Sequence, residues 1–273
     1  MDMAGSAGKR RVAKFWNDEP CGSRLAGDAA PGSAAFFDRT EAARDRREPF
    51  IARFARFDQW KDKRVLEVGC GTGVDLSKFA RRGARAFAID LTPTGASLAR
   101  ARALYLGCSA STTVGDAENL PFHDSTFDLV YSWGVIHHTP DTARAASEIV
   151  RVLRPGGDLI VMIYHRRSIV ALQAWLRYGL LRGSPFRPIA EIVASHLESP
   201  GTKAFTIAEA RALFSGCRDL NVSPVLTPYD LRISREHFLP SAFARALPQR
   251  AGYFLVVTGR KPAIQPMHVG GSA

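Results

Sequence analysis

The sequence predicts an α/β protein built on a doubly wound, mostly parallel sheet. Three observations carry that reading. Short apolar runs such as Val65–Val68 and Ala86–Ile89 alternate along the chain with segments of helical period. The first run opens into three glycines at alternate positions, Gly69, Gly71 and Gly73. The next run ends in Asp90, and an acid at the tip of the second strand is where such sheets hold the hydroxyls of a ribose.

Taken in order, residues 1–32 read as a flexible arm or flap. Residues 1–12 are small and basic, so no structure is expected there, whereas Phe15-Trp16 needs a surface to bury itself, either by packing on the core or by closing over a ligand. Residues 33–60 form an N-terminal helical segment with Phe36, Phe37, Phe50, Ile51 and Phe54 as anchors and a break at Pro49. Glu41, Arg44 and Arg47 either reach the adjoining site or lie on the helix's solvated face, the second being the commoner outcome. The core spans residues 61–165. Strand Val65–Val68, the glycine turn and a helix from Val74 would present bare amides and a helix N-terminus to an anion. Thr92-Pro93-Thr94 caps a helix through Tyr105, ended by Gly107. Strand Ser111–Val114 leads to Gly115-Asp116-Ala117, and strand Thr126–Trp133 leads to His137-His138. The carboxyl ends of central strands face the ligand crevice, which places Ser132, Trp133, His137 and His138 beside it. Asp141 opens a helix through Val152, and Arg154-Pro155-Gly156-Gly157 turns into strand Asp158–Ile163, closed by Tyr164-His165-Arg166-Arg167.

Residues 166–205 are a helical insertion. No acid occurs from Leu159 to Ala190, while five arginines do, and Ile169, Leu172, Leu176 and Leu180 share a helical face. Such a basic amphipathic helix is either a cap over a substrate pocket or a membrane-surface element. Residues 206–262 close the sheet with a helix over Thr206–Phe214 and strands at Asn221–Leu226 and Tyr253–Thr258, and residues 263–273 are expected to be disordered.

The formal net charge of +11 is either an arginine-rich solvated surface or an attraction to something anionic. No apolar stretch follows Lys9-Arg10-Arg11, so no secretory signal is expected, and no apolar run approaches the roughly 20 residues that span a bilayer. Cys21, Cys70, Cys108 and Cys217 show no metal-ligand spacing and no disulfide density, which points to a reduced, cytoplasmic setting and no metal.

The run Glu67-Val68-Gly69-Cys70-Gly71-Thr72-Gly73 resembles the first motif of class I methyltransferases dependent on S-adenosylmethionine (SAM). A dinucleotide site would place its third small residue one position later, where Val74 stands. Asp116-Ala117-Glu118-Asn119-Leu120-Pro121-Phe122 and Arg154–Gly157 are similar to the type 11 subgroup of small-molecule methyltransferases, and Phe15-Trp16 with Pro20-Cys21-Gly22 resembles the opening of a narrower bacterial set. The resemblance implies a Rossmann-like seven-stranded sheet with an antiparallel last strand, and SAM as cofactor. It assigns Glu67, Gly69, Cys70, Gly71 and Gly73 to the methionine end, Asp90 and Leu91 to the ribose, Asp116 and Ala117 to the adenine, and Ser132 and Trp133 to the region of the reacting methyl.

His137, His138 and His165 are candidate bases for an oxygen or nitrogen acceptor. Tyr164, Arg166, Arg167 and Trp16 are candidate substrate contacts. The function implied is methylation of a small, hydrophobic or lipid-like acceptor on O, N or C, with peripheral membrane contact open and the oligomeric state unassigned. RNA methylation and non-catalytic SAM binding are the alternatives. A nucleic-acid partner is disfavoured because no RNA-binding module and no Asn-Pro-Pro-Tyr tetrapeptide is present.

Overall fold

The computed structural model describes residues 3–232 and 246–263, with side chains from residue 7 onward. Seven strands form one sheet in the order β3-β2-β1-β4-β5-β7-β6. They are β1 (Arg64–Val68), β2 (Arg85–Asp90), β3 (Ala110–Val114), β4 (Phe127–Trp133), β5 (Leu153–Tyr164), β6 (Arg218–Val225) and β7 (Phe254–Arg260). β1 to β5 pair in parallel, and β7 runs antiparallel between β5 and β6. The expected architecture and the antiparallel last strand are both present.

Strand alternation sorts the core into two layers. Val65, Leu129, Tyr131 and Ile160 pack with Phe57, Trp60 and Phe79 on one face. Leu66, Val68, Val130 and Leu159 pack with Ile149 and Phe214 on the other. Both layers are closed to solvent, and for that reason the central strands read as nearly continuous apolar runs.

Local chemistry sets the helix boundaries. α4 (Val74–Arg81) starts at Gly73, α5 (Pro93–Tyr105) starts at Thr92, whose hydroxyl accepts from the Gly95 amide, and α6 (Thr142–Val152) starts at Asp141, which caps the Arg144 amide. α9 (Ile207–Leu213) carries a capping box between Thr206 and Glu209. Pro49 separates α2 (Ala34–Arg47) from α3 (Ile51–Ala55).

One expectation changes, and two that stood open are decided. Residues 1–12 are not without structure: helix α1 spans Met3–Asp18, held by burial of Val12 and by Lys9 Nζ, which donates to Asp116 Oδ2 (2.5 Å) and Glu118 Oε2 (2.6 Å). Glu41 and Arg44 do not face solvent. Glu41 pairs with Arg81 and with the fully buried Arg102, which also donates to the Thr72 carbonyl (2.8 Å), so α2 is tied to the glycine turn. Arg47 alone of the three is exposed. In the insertion, α7 (Ile169–Tyr178) and α8 (Ile189–His196) bury Ala171, Ala174, Ile192 and Val193, while Leu172, Leu176 and Leu180 are exposed. The leucine stripe is therefore not the face that lies on the domain. The expected disordered tail and most of the link between the last two strands fall outside the described residues.

Candidate active site

The glycine turn lies at the carboxyl end of β1, and each glycine has its own reason. Gly69 and Gly73 have left-handed φ of +78° and +74°, and a Cβ would come within 2.3 Å of Val135 or 2.6 Å of Ala99. Those two are demanded by the fold itself. At Gly71 (φ +48°) the nearest atom to a Cβ is the Cys21 carbonyl oxygen at 3.7 Å, an ordinary contact, so the fold demands a glycine there only through its backbone angle. Cys70 is buried, and its amide and that of Gly69 both donate to the Ile89 carbonyl.

Two adjoining cavities meet at this turn, and Cys21, Gly69 and Gly71 line both. The first runs past Asp90, Leu91, Asp116 and Ala117 to His138, under a roof formed by Lys9 and Trp16 of α1. Asp90 is held by three donors: the Gly71 amide (2.9 Å) on Oδ2, and the Thr92 amide (2.9 Å) and hydroxyl (2.7 Å) on Oδ1. Oδ2 accepts only that one bond among the described residues, so it keeps acceptor capacity, and Asp90 lines the cavity. Asp116 is steadied by the Glu118 amide (2.9 Å) and by Lys9.

The second cavity holds Glu67, Arg44, Asp75 and Trp133. Arg44 grips Asp75 with two nitrogens (2.7 and 3.3 Å), and the Tyr131 hydroxyl donates to Asp75 (2.8 Å). Burial pushes the Asp75 carboxyl up, but the Arg44 guanidinium outweighs it and holds the group below the usual range. Glu67 is buried with no such partner, and Oε2 has no hydrogen-bond donor. Burial, and then the charge of Asp75, raise its carboxyl well above the usual range. Trp133 donates to Glu48 (2.9 Å) and stacks on Tyr131, and Ser132 is sealed in the core without a partner among the described residues.

Beyond the cofactor-type residues lies a polar cluster. His138 Nδ1 lies 2.8 Å from Ser199 Oγ and 3.0 Å from Thr202 Oγ1, and its Nε2 lies 3.3 Å from Glu198 Oε2. The Tyr164 hydroxyl donates to the same Glu198 oxygen (2.6 Å), and the Trp16 ring sits 5.2 Å from the imidazole. Burial raises the Glu198 carboxyl, yet the neighbouring His138 and the Tyr164 hydroxyl bring it below its ordinary value.

The other two histidines differ. His137 is completely enclosed between His138 and Tyr164, and burial drives its pKa well below the ordinary value, so it is a neutral ring. His165, one residue after Tyr164, points to the opposite side of the strand line and is fixed to the Gly252 carbonyl (3.0 Å). Arg166 is paired with Glu209 at the start of α9, and Arg167 is exposed. The structure therefore brings Trp16, His138 and Tyr164 together and leaves His165, Arg166 and Arg167 outside. Sequence reasoning missed Glu198 and Lys9, and it held the inward role of Arg44 only as one of two readings. Glu198 carried a weak signal, as one of two acids in a strongly basic insertion.

The pattern now has relatives to set beside it. The family described as methyltransferase domain matches residues 66–161. That segment belongs to the methyltransferase domain family. The residues here fit SAM: the Glu67 oxygen without a donor suits a methionyl ammonium, Asp90 has an acceptor for a ribose hydroxyl, and Gly71 lines both cavities. Tocopherol O-methyltransferase of Arabidopsis thaliana is 39% identical over 125 residues, 43% of this chain and 36% of that one. Norajmaline N-methyltransferase of Rauvolfia serpentina is 34% identical over 145 residues, 51% of this chain and 50% of that one. The chain thus spans half or less of the length of these curated relatives. Geranyl diphosphate C-methyltransferase from Streptomyces coelicolor, solved with S-adenosylhomocysteine, superposes with a TM-score of 0.61 at 18% identity, over 94% of this chain and 98% of that one, which shows a shared fold.

Proposed function

We propose that the chain transfers the methyl group of SAM to a small, hydrophobic acceptor bound beside His138. One observation carries this reading: a single cavity runs from Asp90 and Asp116 to His138, so a cofactor held at one end has a positioned base at the other. When bound, SAM supplies an electrophilic methyl at its sulfonium. Glu67 and Arg44 would hold the charged methionyl end, Asp90 the ribose and Asp116 the adenine. With Nδ1 held by Ser199 and Thr202, Nε2 of His138, a buried atom with no hydrogen-bond partner among the described residues, is the one that would take the proton from an acceptor hydroxyl or amine, and Glu198, 3.3 Å away, would steady the imidazolium that results. Neither His137, which is sealed, nor His165, which lies outside, has that access.

Around His138 the cavity is walled by Val12, Trp16, Val135 and Pro140, which suits an apolar body. The relatives' names include an O-, an N- and a C-methyltransferase, so the acceptor atom follows from the bound substrate and not from kinship. A cytoplasmic setting belongs to the same reading and rests on four free cysteines.

The test is mass spectrometry of the purified chain followed by turnover. Co-purified SAM or S-adenosylhomocysteine, and label from methyl-labelled SAM passing into phenolic prenyl lipids, is the expected result. A chain that carries neither molecule and shows no calorimetric binding of SAM would overturn the reading.

A further inference from the structure

The helical insertion carries a surface that methyl transfer does not use. Leu172 and Leu176 on α7, Leu180 and Leu181 in the turn after it, and Phe186 beyond the turn are all exposed, Leu181 at 80% and Phe186 at 96%. Leu172, Leu176 and Leu180 follow at intervals of four and form one stripe, with the two most exposed side chains at its end. Scattered exposed leucines are ordinary, but a contiguous apolar set at the tip of one hairpin is not.

The rim of this set is basic. Arg167, Arg177 and Arg182 are exposed, and the guanidinium groups of Arg177 and Arg182 lie over the Tyr178 ring at 5.4 and 5.9 Å. Arg187 is partnered by Glu191 (3.8 Å), and no acid occurs between Leu159 and Ala190. Leu181 and Phe186 protrude, so they suit a medium that closes around them. An anionic surface would complement the arginines.

We propose that this hairpin docks the protein on an anionic lipid bilayer, with Leu181 and Phe186 entering the acyl boundary and Arg177 and Arg182 on the headgroups. A second copy fits poorly, because pairing the patch with itself would set one arginine rim against another. The net charge of +11 adds long-range attraction to the same surface. Among the described residues no helix is long and apolar enough to cross a membrane, so this contact is peripheral. It does not depend on the methyl-transfer reading, and its test needs neither SAM nor acceptor.

The experiment is sedimentation of the full chain with vesicles of phosphatidylcholine alone or mixed with phosphatidylglycerol. The chain should bind the mixed vesicles, bind the neutral ones far less, and release as salt rises. The double variant Leu181→Asp/Phe186→Asp should lose at least about tenfold in partition through lost apolar burial. The variant Arg177→Glu/Arg182→Glu should lose at least about 25-fold, roughly fivefold for each arginine near an anionic surface. Unchanged melting curves for both variants would show that the fold persists. An unbound wild-type chain, or variants that bind as well as the wild type, would overturn the proposal. So would a wild-type dimer, seen by light scattering, that Leu181→Asp disperses, since that would assign the face to a second copy.

Discussion

The two ends of the main cavity are held in place by different means. At the cofactor end, Asp90 is fixed by the Gly71 amide and by Thr92, so the carboxylate is set by backbone and by a near neighbour. At the acceptor end, His138 is fixed by side chains of Ser199, Thr202 and Glu198, which come from a separate insertion some sixty positions away. Glu198 itself sits at a left-handed φ of 52°, a conformation that a non-glycine residue adopts only when its surroundings hold it there. The comparison teaches that cofactor binding is built into the sheet, whereas the acceptor site depends on the insertion docking correctly. Damage at the first end should appear in affinity, and damage at the second in turnover.

The strongest way to break that division is His138→Ala. Loss of a positioned base should lower kcat by roughly 10²- to 10⁴-fold, while calorimetry should find SAM affinity unchanged. Glu198→Gln should lower kcat by less, since Tyr164 can still donate to the amide oxygen. Equal loss of kcat and SAM affinity in either variant would merge the two ends.

Next in size is Asp90→Ala. A hydrogen bond from a ribose hydroxyl to a carboxylate contributes about 1.5–3 kcal/mol, so SAM affinity should fall about ten- to a hundredfold. The same substitution removes three internal bonds, and a lowered melting temperature should accompany the loss.

A smaller effect comes from Glu67. Its carboxyl is raised above the ordinary range in the free protein by burial and by Asp75, so it holds a proton there to higher pH than a free carboxyl would. A methionyl ammonium favours the ionised form and lowers that value, which makes binding release a proton. SAM affinity should therefore rise with pH, by at most about tenfold per unit, up to the free-state pKa, and level off above it. Calorimetry in buffers of different ionisation heat should detect the proton, and Glu67→Gln should abolish the dependence. A pH-independent affinity in the wild-type chain would mean that Glu67 does not face the ammonium.

Smallest is the arm. Lys9 joins α1 to Asp116 and Glu118 through ion pairs that are about a third exposed, and such pairs contribute about 0–1 kcal/mol. Lys9→Ala should raise chymotryptic cleavage at Phe15-Trp16 by less than about fivefold, and bound SAM should suppress it. Cleavage that is the same with and without SAM would make the arm a fixed wall and not a closing one.

The extent to which the sequence could be read follows the same division. β1, the glycine turn, Asp90 and the caps at Thr92, Asp141 and Thr206 were readable because each depends on residues within a few positions of itself. Residues 1–12 were misread because small, basic composition argues against a helix in isolation, whereas α1 draws its stability from Val12 and Lys9 against the core. His165 and Arg166 follow Tyr164 in the chain, but one step along a strand reverses the direction of His165, and Arg166 is drawn to Glu209. The leucine stripe of α7 left two readings open, a face on the domain or a face on a membrane, because periodicity reports which residues share a side, not what covers that side.

The sequence by itself determined the doubly wound sheet and the glycine turn that follows its first strand, since both are local patterns repeated in order, and the antiparallel last strand followed from the family resemblance. Only the tertiary structure decided which histidine has access to the cavity, that Glu198 meets it, and that Arg44 turns inward to Asp75. The reason is that these contacts join residues far apart in the chain, whose meeting is set by how whole elements pack and leaves no spacing to read.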